Sequence, residues 1–406
     1  MILVLVLLAF GCWAQEVPAL IREPAVKAAL EAAKRGEGQA IEDQVALCEV
    51  PAPPFLEQRR GQMYKRMFEQ LGLRNVRVDA AGNVIGERPG KQARPNLVFS
   101  AHLDTVFPEG TRVSVTREGA VLKGPGIGDD CRGLAVVLAV IRALHEGKVE
   151  TPGTITFVGM VGEEGLGDLR GVKQLFQETL KGRIDKFVSI DGTGTGITNV
   201  GVGSFRYKVT LKGPGGHSYG AFGMANPIQA LGRVMAKISD FQVPSSPKTT
   251  FNVGRIGGGT SVNAIPFEAW MEVDLRSADM VSLEAVDQKF KAAVQQGVDE
   301  ENARWSGKGK LSAVVETVGL RPAGRTSEDS AIVRTAMAVA VALGQSAELR
   351  EGSTDSNVAM TMGVPAITMS GGGVGQGAHS LGESFDTTDS WQGTQRALLA
   401  AVALAR

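Results

Sequence analysis

Cysteine is scarce: the 406 residues hold three, Cys12, Cys48 and Cys131, with no Cys-x-x-Cys pair. That excludes a disulfide framework. An excess of one charge is also missing, since Lys+Arg and Asp+Glu number 43 each. With no basic run, nucleic acid is set aside as a partner. The apolar run at 1–10 is too short for a bilayer span, which needs roughly 20 residues. No internal repeat and no low-complexity segment is found. Histidine is rare at four residues, so the setting of each is informative.

What is present points to a globular protein. The chain is 43% apolar and 21% charged, enough for a sizeable core. Its length predicts two domains. Residues 1–14 resemble an export signal with cleavage after Ala14, although no Lys or Arg precedes the apolar run. The expected location is therefore periplasmic or secreted, with no stable membrane span. A buried first strand is the alternative. Lipoprotein anchoring at Cys12 is disfavoured, because Leu8 is one place too far from it.

Helices are predicted over 24–34 and 55–71, with Pro51 and Pro54 breaking the chain between them. A hairpin is predicted over 76–85, turning through Gly82-Asn83. Four apolar runs then end abruptly in polar or glycine-rich loops: 97–99 before His102, 154–161 before Glu163, 187–190 before Asp191, and 365–369 before the triple glycine and His379. Such runs suit buried strands of a mostly parallel sheet. A helical pattern over 134–144 makes the first two a βαβ crossover. The middle third differs. Strands at 207–212, 269–276 and 311–318 alternate with helices at 227–241 and 283–298, which suits a ferredoxin-like α+β sandwich with three of its four strands placed. The expected fold is thus α/β: a catalytic domain over 15–205 and 321–406, with an inserted domain over 206–320.

Ligands bind beyond the carboxyl ends of strands in open α/β sheets, and the chemistry-bearing residues gather there. His102 would bind a metal through one ring nitrogen, with Asp104 accepting the other N–H. Gly124-Pro125-Gly126-Ile127-Gly128-Asp129-Asp130 fails as a phosphate loop, because two carboxylates stand where amides are needed. Adjacent acids at a helix start hold a divalent cation; the plain alternative is helix capping by Asp129. In Gly162-Glu163-Glu164-Gly165 one carboxylate can ligate while the other accepts a proton, the division that metal-assisted hydrolysis requires. A solvated acidic turn is the alternative. His145, in a charged helix end, reads as surface.

AHLDTV, GPGIGDD, GEEG, SIDG, GGHS and a late GAHS, in this order, resemble the M20 family of zinc metallopeptidases, as do Gly82-Asn83-Val84 and the inserted domain. The resemblance spans the chain after residue 14. It implies a di-metal exopeptidase-like catalytic domain with an inserted lid or dimerisation domain, and a possible homodimer. It implies two metal ions bridged by Asp129, one completed by His102 and Asp191, the other by Glu164 and His379. Asp130 is the other candidate bridge. Glu163 becomes the general base. His217 helps stabilise the oxyanion, often from a partner subunit, and Asn263 and Arg276 grip the substrate; the plain alternatives are a loop histidine with no task, a turn residue at Asn263 and an ordinary wet-face charge at Arg276. Mixed imidazole and carboxylate ligands favour Zn2+, with Co2+ or Mn2+ open. The expected activity is cleavage of an amide bond in small peptides by metal-activated water. Gly352-Ser353-Thr354-Asp355 and the triple glycine resemble tripeptidase-like members.

An N-acyl amino acid deacylase of the same family is the alternative. A non-catalytic metal- or peptide-binding relative would be expected to lose Glu163 or several ligands, and all are present. One serine-hydrolase pattern, Gly216-His217-Ser218-Tyr219-Gly220, lacks a helix directly after it.

Overall fold

The apolar runs become neighbouring strands in the computed structural model, which describes residues 17–305 and 309–406. The export signal expected at 1–14, with Cys12, lies outside the described residues. The described residues fold as two units, 17–201 with 325–406, and those within 202–324. These crossings lie four residues outside the 206–320 read from the sequence. The strands Gly196–Gly201 and Gly203–Lys212 belong to different sheets yet are separated by a single residue, so no loop composition marks the junction.

The first unit is built on a mainly parallel sheet. Across it stand Arg74–Val78, Val84–Arg88, Thr154–Met160, Asn96–His102, Lys186–Ile190, Ala366–Met369 and Gly196–Gly201, with Glu348–Gly352 paired to the last. Asn96–His102 is parallel to both neighbours, His102 standing opposite Met160 and Ser100 opposite Ser189. The hairpin closes as expected, Val78 opposite Val84. Alternate strand residues serve opposite faces. Leu97, Phe99 and Ala101 meet Leu134, Val137 and Ile141 of the helix Cys131–Glu146, and Leu398 and Val402 of Trp391–Leu404. Val98, Val158 and Phe187 meet Val172 and Leu175 on the other face. Each such buried Val, Leu, Ile or Phe side chain contributes about 1.5–3 kcal/mol.

Pro24–Arg35 begins with proline at its first turn, one residue longer than the 24–34 expected, and is capped at Gly36. Glu37–Cys48, directly after it, was not legible. Its core positions include Glu37, Asp43 and Gln44, which are buried, so an apolar stripe is largely missing. Arg132 explains one of them: its buried guanidinium donates to Glu37 at 2.9 Å. Cys48 and Cys131 are free thiols in one buried cluster with Leu122, Ile127 and Phe385.

The second unit is a four-stranded antiparallel sheet in the order Thr249–Gly258, Glu268–Ser277, Gly203–Lys212, Ser312–Arg321. With helices Pro227–Ser239 and Met280–Arg304 this is the βαββαβ order expected. Ala269, Met271, Val273 and Leu275 face inward on every second residue and pack against Val234, Phe290 and Val294. The strand the sequence did not reveal is Thr249–Gly258. Its glycines at 254, 257 and 258 dilute the β pattern, and only Phe251 and Val253 pack against the core. Among the described residues no helix is long and apolar enough to cross a membrane.

Candidate metal centre

Three adjacent parallel strands deliver their carboxyl ends to one place. Asn96–His102 ends in His102, Thr154–Met160 runs on to Glu163 and Glu164, and Lys186–Ile190 is followed by Asp191. Ala366–Met369 lies beside the third and leads to His379. Asp129 stands just before the helix Cys131–Glu146.

Asp129 faces both histidines. Its Oδ1 is 3.0 Å from Nε2 of His102, and its Oδ2 is 3.0 Å from Nε2 of His379. Asp191 Oδ1 lies 3.9 Å from His102 Nε2, and Glu164 Oε1 lies 3.0 Å from His379 Nε2. Two triads result, His102–Asp129–Asp191 and Asp129–Glu164–His379, each with its donor atoms within 4.8 Å of one another; His102, Glu163 and Glu164 form a third such group. Asp130 has other work. Its carboxylate accepts the N–H of His102 and of Gly133, both at 3.0 Å. The helix cap is therefore Asp130, not Asp129, because it is Asp130 whose side chain turns back over the first helical turn. His379 has φ 64°, a left-handed conformation uncommon outside glycine, though histidine is among the residues that tolerate it.

The Glu163–Glu164 loop is held from below. The carboxylate of Asp104 accepts the N–H of Glu163 at 3.0 Å and of Glu164 at 2.8 Å. His102 Nδ1 is 3.0 Å from the backbone carbonyl of Asp104 and 3.6 Å from its carboxylate. The carbonyl thus takes the ring N–H that sequence reasoning assigned to the side chain, whose lone pairs already serve two amides. Either way Nδ1 carries the proton and Nε2 is left as the donor to a cation. Gly162 adopts φ 69°, and a Cβ there would meet Arg170 Nη1 at 2.0 Å. Arg170 is anchored in turn by both oxygens of Glu57 at 2.7 Å.

The electrostatics call for positive charge. Burial alone would depress the His102 pKa, but the Asp104 and Asp129 carboxylates outweigh it and raise it well above the ordinary value. Asp129 and Glu164 push His379 up to about 10. Asp191 is raised to about 7, by burial and then by the charge of Asp129. Buried carboxylates outnumber the imidazoles, and buried charges need a counter-ion or a metal. Ligands set tetrahedrally about 2 Å from one ion stand about 3.3 Å apart, and the donors around Asp129 lie 3.0 to 3.9 Å from the histidine nitrogens. The donor set fits two divalent cations that share Asp129.

His217, Asn263 and Arg276 belong to the second unit. Gly216–His217 pairs with Ala264–Ile265, and Ser218 N–H donates to the Asn263 carbonyl at 2.9 Å, so His217 and Asn263 share one exposed ribbon. Arg276 is not with them. It lies eight residues along the strand from Glu268, roughly 25 Å away, and donates to Asp274 at 2.6 Å. Nδ1 of His217 accepts N–H groups of Tyr219 and Gly220, which leaves its proton on Nε2. No helix follows Ser218 until Pro227, so the nucleophile elbow is absent.

Two buried residues in the first unit have roles that the sequence reading did not give, one of them, Glu383, never singled out. Asn83 accepts the Val161 N–H at 3.0 Å and donates to the Gly171 carbonyl, steadying the strand end before Glu163. Glu383 accepts three backbone N–H groups of the Asp129 loop. Its one sequence signal is an acid four places after His379.

Residues 98–403 match peptidase family M20/M25/M40. The uncharacterized protein YqjE of Bacillus subtilis is 27% identical over 351 residues, 83% of this chain and 91% of its own. Among solved structures, aminopeptidase PepT from Bacillus cereus superposes with a TM-score of 0.72 at 22% identity, covering 91% of this chain and 98% of its own. The YXEP protein of Bacillus subtilis, described as a dinuclear metal binding peptidase from the M20 family, gives 0.68 at 18% identity, covering 92% and 99%. The fold of the two units is that of these structures. Because the family match begins inside the strand that carries His102 and runs into the last helix, it takes in both donor triads, and the chain belongs to peptidase family M20/M25/M40.

Proposed function

We propose that this family member is a co-catalytic two-zinc hydrolase that cleaves an amide bond in small peptides. One observation carries the reading: the two oxygens of Asp129 face two different histidines, each at 3.0 Å. A single carboxylate common to two donor triads is the arrangement a paired-ion centre needs. His102 and Asp191 would hold one ion with it, and Glu164 and His379 the other. The likeness of fold to a dinuclear metal binding peptidase supports the ion count, and the imidazole–carboxylate set favours zinc over manganese or cobalt.

When bound, the two cations acidify water and polarise the scissile carbonyl. The chain's own residues do the rest. Glu163, within reach of His102 and Glu164, accepts a proton from water as its oxygen bonds to the carbonyl carbon. It then gives that proton to the amide nitrogen as the C–N bond breaks, leaving a carboxylic acid and an amine, between which the second proton of the water is then shared as carboxylate and ammonium. Asp104 keeps Glu163 and Glu164 at their posts through their backbone N–H groups. The Nε2–H of His217 is a donor suited to a developing oxyanion; His217→Ala is expected to slow turnover with zinc content unchanged. A change in KM alone would remove it from the chemical step.

The test is to incubate zinc-loaded protein with di- and tripeptides and acylated amino acids, and to identify products by mass. Peptide cleavage that a chelator abolishes and zinc restores is expected. Release from acylated amino acids alone would make the protein a deacylase. Activity indifferent to chelator but lost to a serine-directed reagent would overturn the metal reading.

A further inference from the structure

The segment that carries Asp129, Gly124-Pro125-Gly126-Ile127-Gly128-Asp129, has three glycines in six residues. Glycine loses more conformational freedom on ordering than any other residue, so something must hold this loop. The hold comes from far along the chain. Glu383 Oε2 accepts the Gly126 N–H at 2.9 Å, and Oε1 accepts those of Gly128 at 2.7 Å and Asp129 at 3.0 Å. The Glu383 carbonyl accepts the Gly124 N–H at 3.0 Å. The residue is 2% exposed and belongs to neither donor triad. A Cβ on Gly128 would stand 3.1 Å from Oε1, so the glycine is what lets the carboxylate approach.

The backbone of Glu383 belongs to the turn that carries His379. The turn 377–383 is closed by Ser380 N–H to the Gly377 carbonyl and Glu383 N–H to the Ser380 carbonyl. One residue therefore ties the shared ligand to the turn that presents the outermost one.

We infer that Glu383 is a positioning residue for the metal centre: its carboxylate clamps the Asp129 loop to the His379 turn, so that the ligands are in place before an ion arrives. The inference rests on the two-ion reading above. Clusters of backbone N–H groups converging on an anion make stable nests, and partners that orient metal ligands are worth about 10- to 100-fold in metal affinity. Glutamine at 383 keeps a carbonyl oxygen for Gly128 and Asp129 but turns an NH2 group on the Gly126 N–H; alanine removes every side-chain acceptor.

Zinc affinity of the full-length protein, Glu383→Gln and Glu383→Ala is to be measured by competition with a chromophoric chelator, alongside the melting temperature of each metal-free form and kcat at saturating zinc. Affinity is expected to fall about 10-fold for Gln and towards 100-fold for Ala, while the Gln variant recovers its kcat when zinc saturates. A purely structural residue would lower the metal-free melting temperature and leave zinc affinity alone. Equal affinity in wild type and both variants overturns the clamp and leaves the two-ion reading standing. Wild-type protein that binds no zinc overturns both. If the Ala variant does not fold, the Gln variant decides.

Discussion

At the scale of the residue, neighbouring acids do different work. Glu164 lies 3.0 Å from His379 as a prospective ligand, while Glu163 sits beside it on the same short loop. Glu163→Gln preserves shape and removes the proton acceptor, so kcat is expected to fall by about 10²–10⁴-fold with two metals still found by elemental analysis. Unchanged turnover would take Glu163 out of the mechanism. Asp129 and Asp130 divide likewise. Asp129→Ala is expected to empty both positions. Asp130→Ala should keep metal but lose about 2 kcal/mol of stability in denaturant titration, since two buried N–H groups lose their acceptor. Metal kept by the first variant and lost by the second would reassign the shared ligand.

At the scale of the element, placement depends on close backbone approach. Gly171 lies in the helix Arg170–Gln174, where a Cβ would stand 2.3 Å from the Val161 carbonyl and 2.4 Å from Asn83 Oδ1. Gly171→Ala should cost about 1–3 kcal/mol by overpacking and depress turnover, because Val161 is two residues from Glu163. The contrasting change is Gly232→Ala, in the exposed face of Pro227–Ser239 with nothing within 4 Å of the added carbon. It should raise stability by about 0.5–1 kcal/mol through helix propensity alone. A melting temperature lowered by both changes would contradict this. Elements with a clean period were legible, as in 269–276. Glu37–Cys48 and Thr249–Gly258 were not, because one buries polar groups that only tertiary partners satisfy and the other is interrupted by glycine.

At the scale of the whole molecule, metal binding and stability are linked. Ligands for the proposed ions come from positions 102, 129, 164, 191 and 379, so an ion bridges segments spread over most of the first unit. Zinc at 100 times its dissociation constant should add about 2.7 kcal/mol per independent site, seen as a melting temperature that climbs with free zinc. A flat response would mean the folded chain holds no ion. The ordering of apolar runs and the residue types at their ends, His102, Glu163, Glu164, Asp191 and His379, were written in the sequence, because strand period and loop composition are local properties. The turn of Asp130 to the His102 amide while Asp129 faces both histidines, the Asp104 carboxylate turned to the loop amides, and the grip of Glu383 on the Asp129 loop were decided only in three dimensions. Each depends on which backbone N–H a carboxylate meets across tens to hundreds of residues, and no local pattern encodes that meeting.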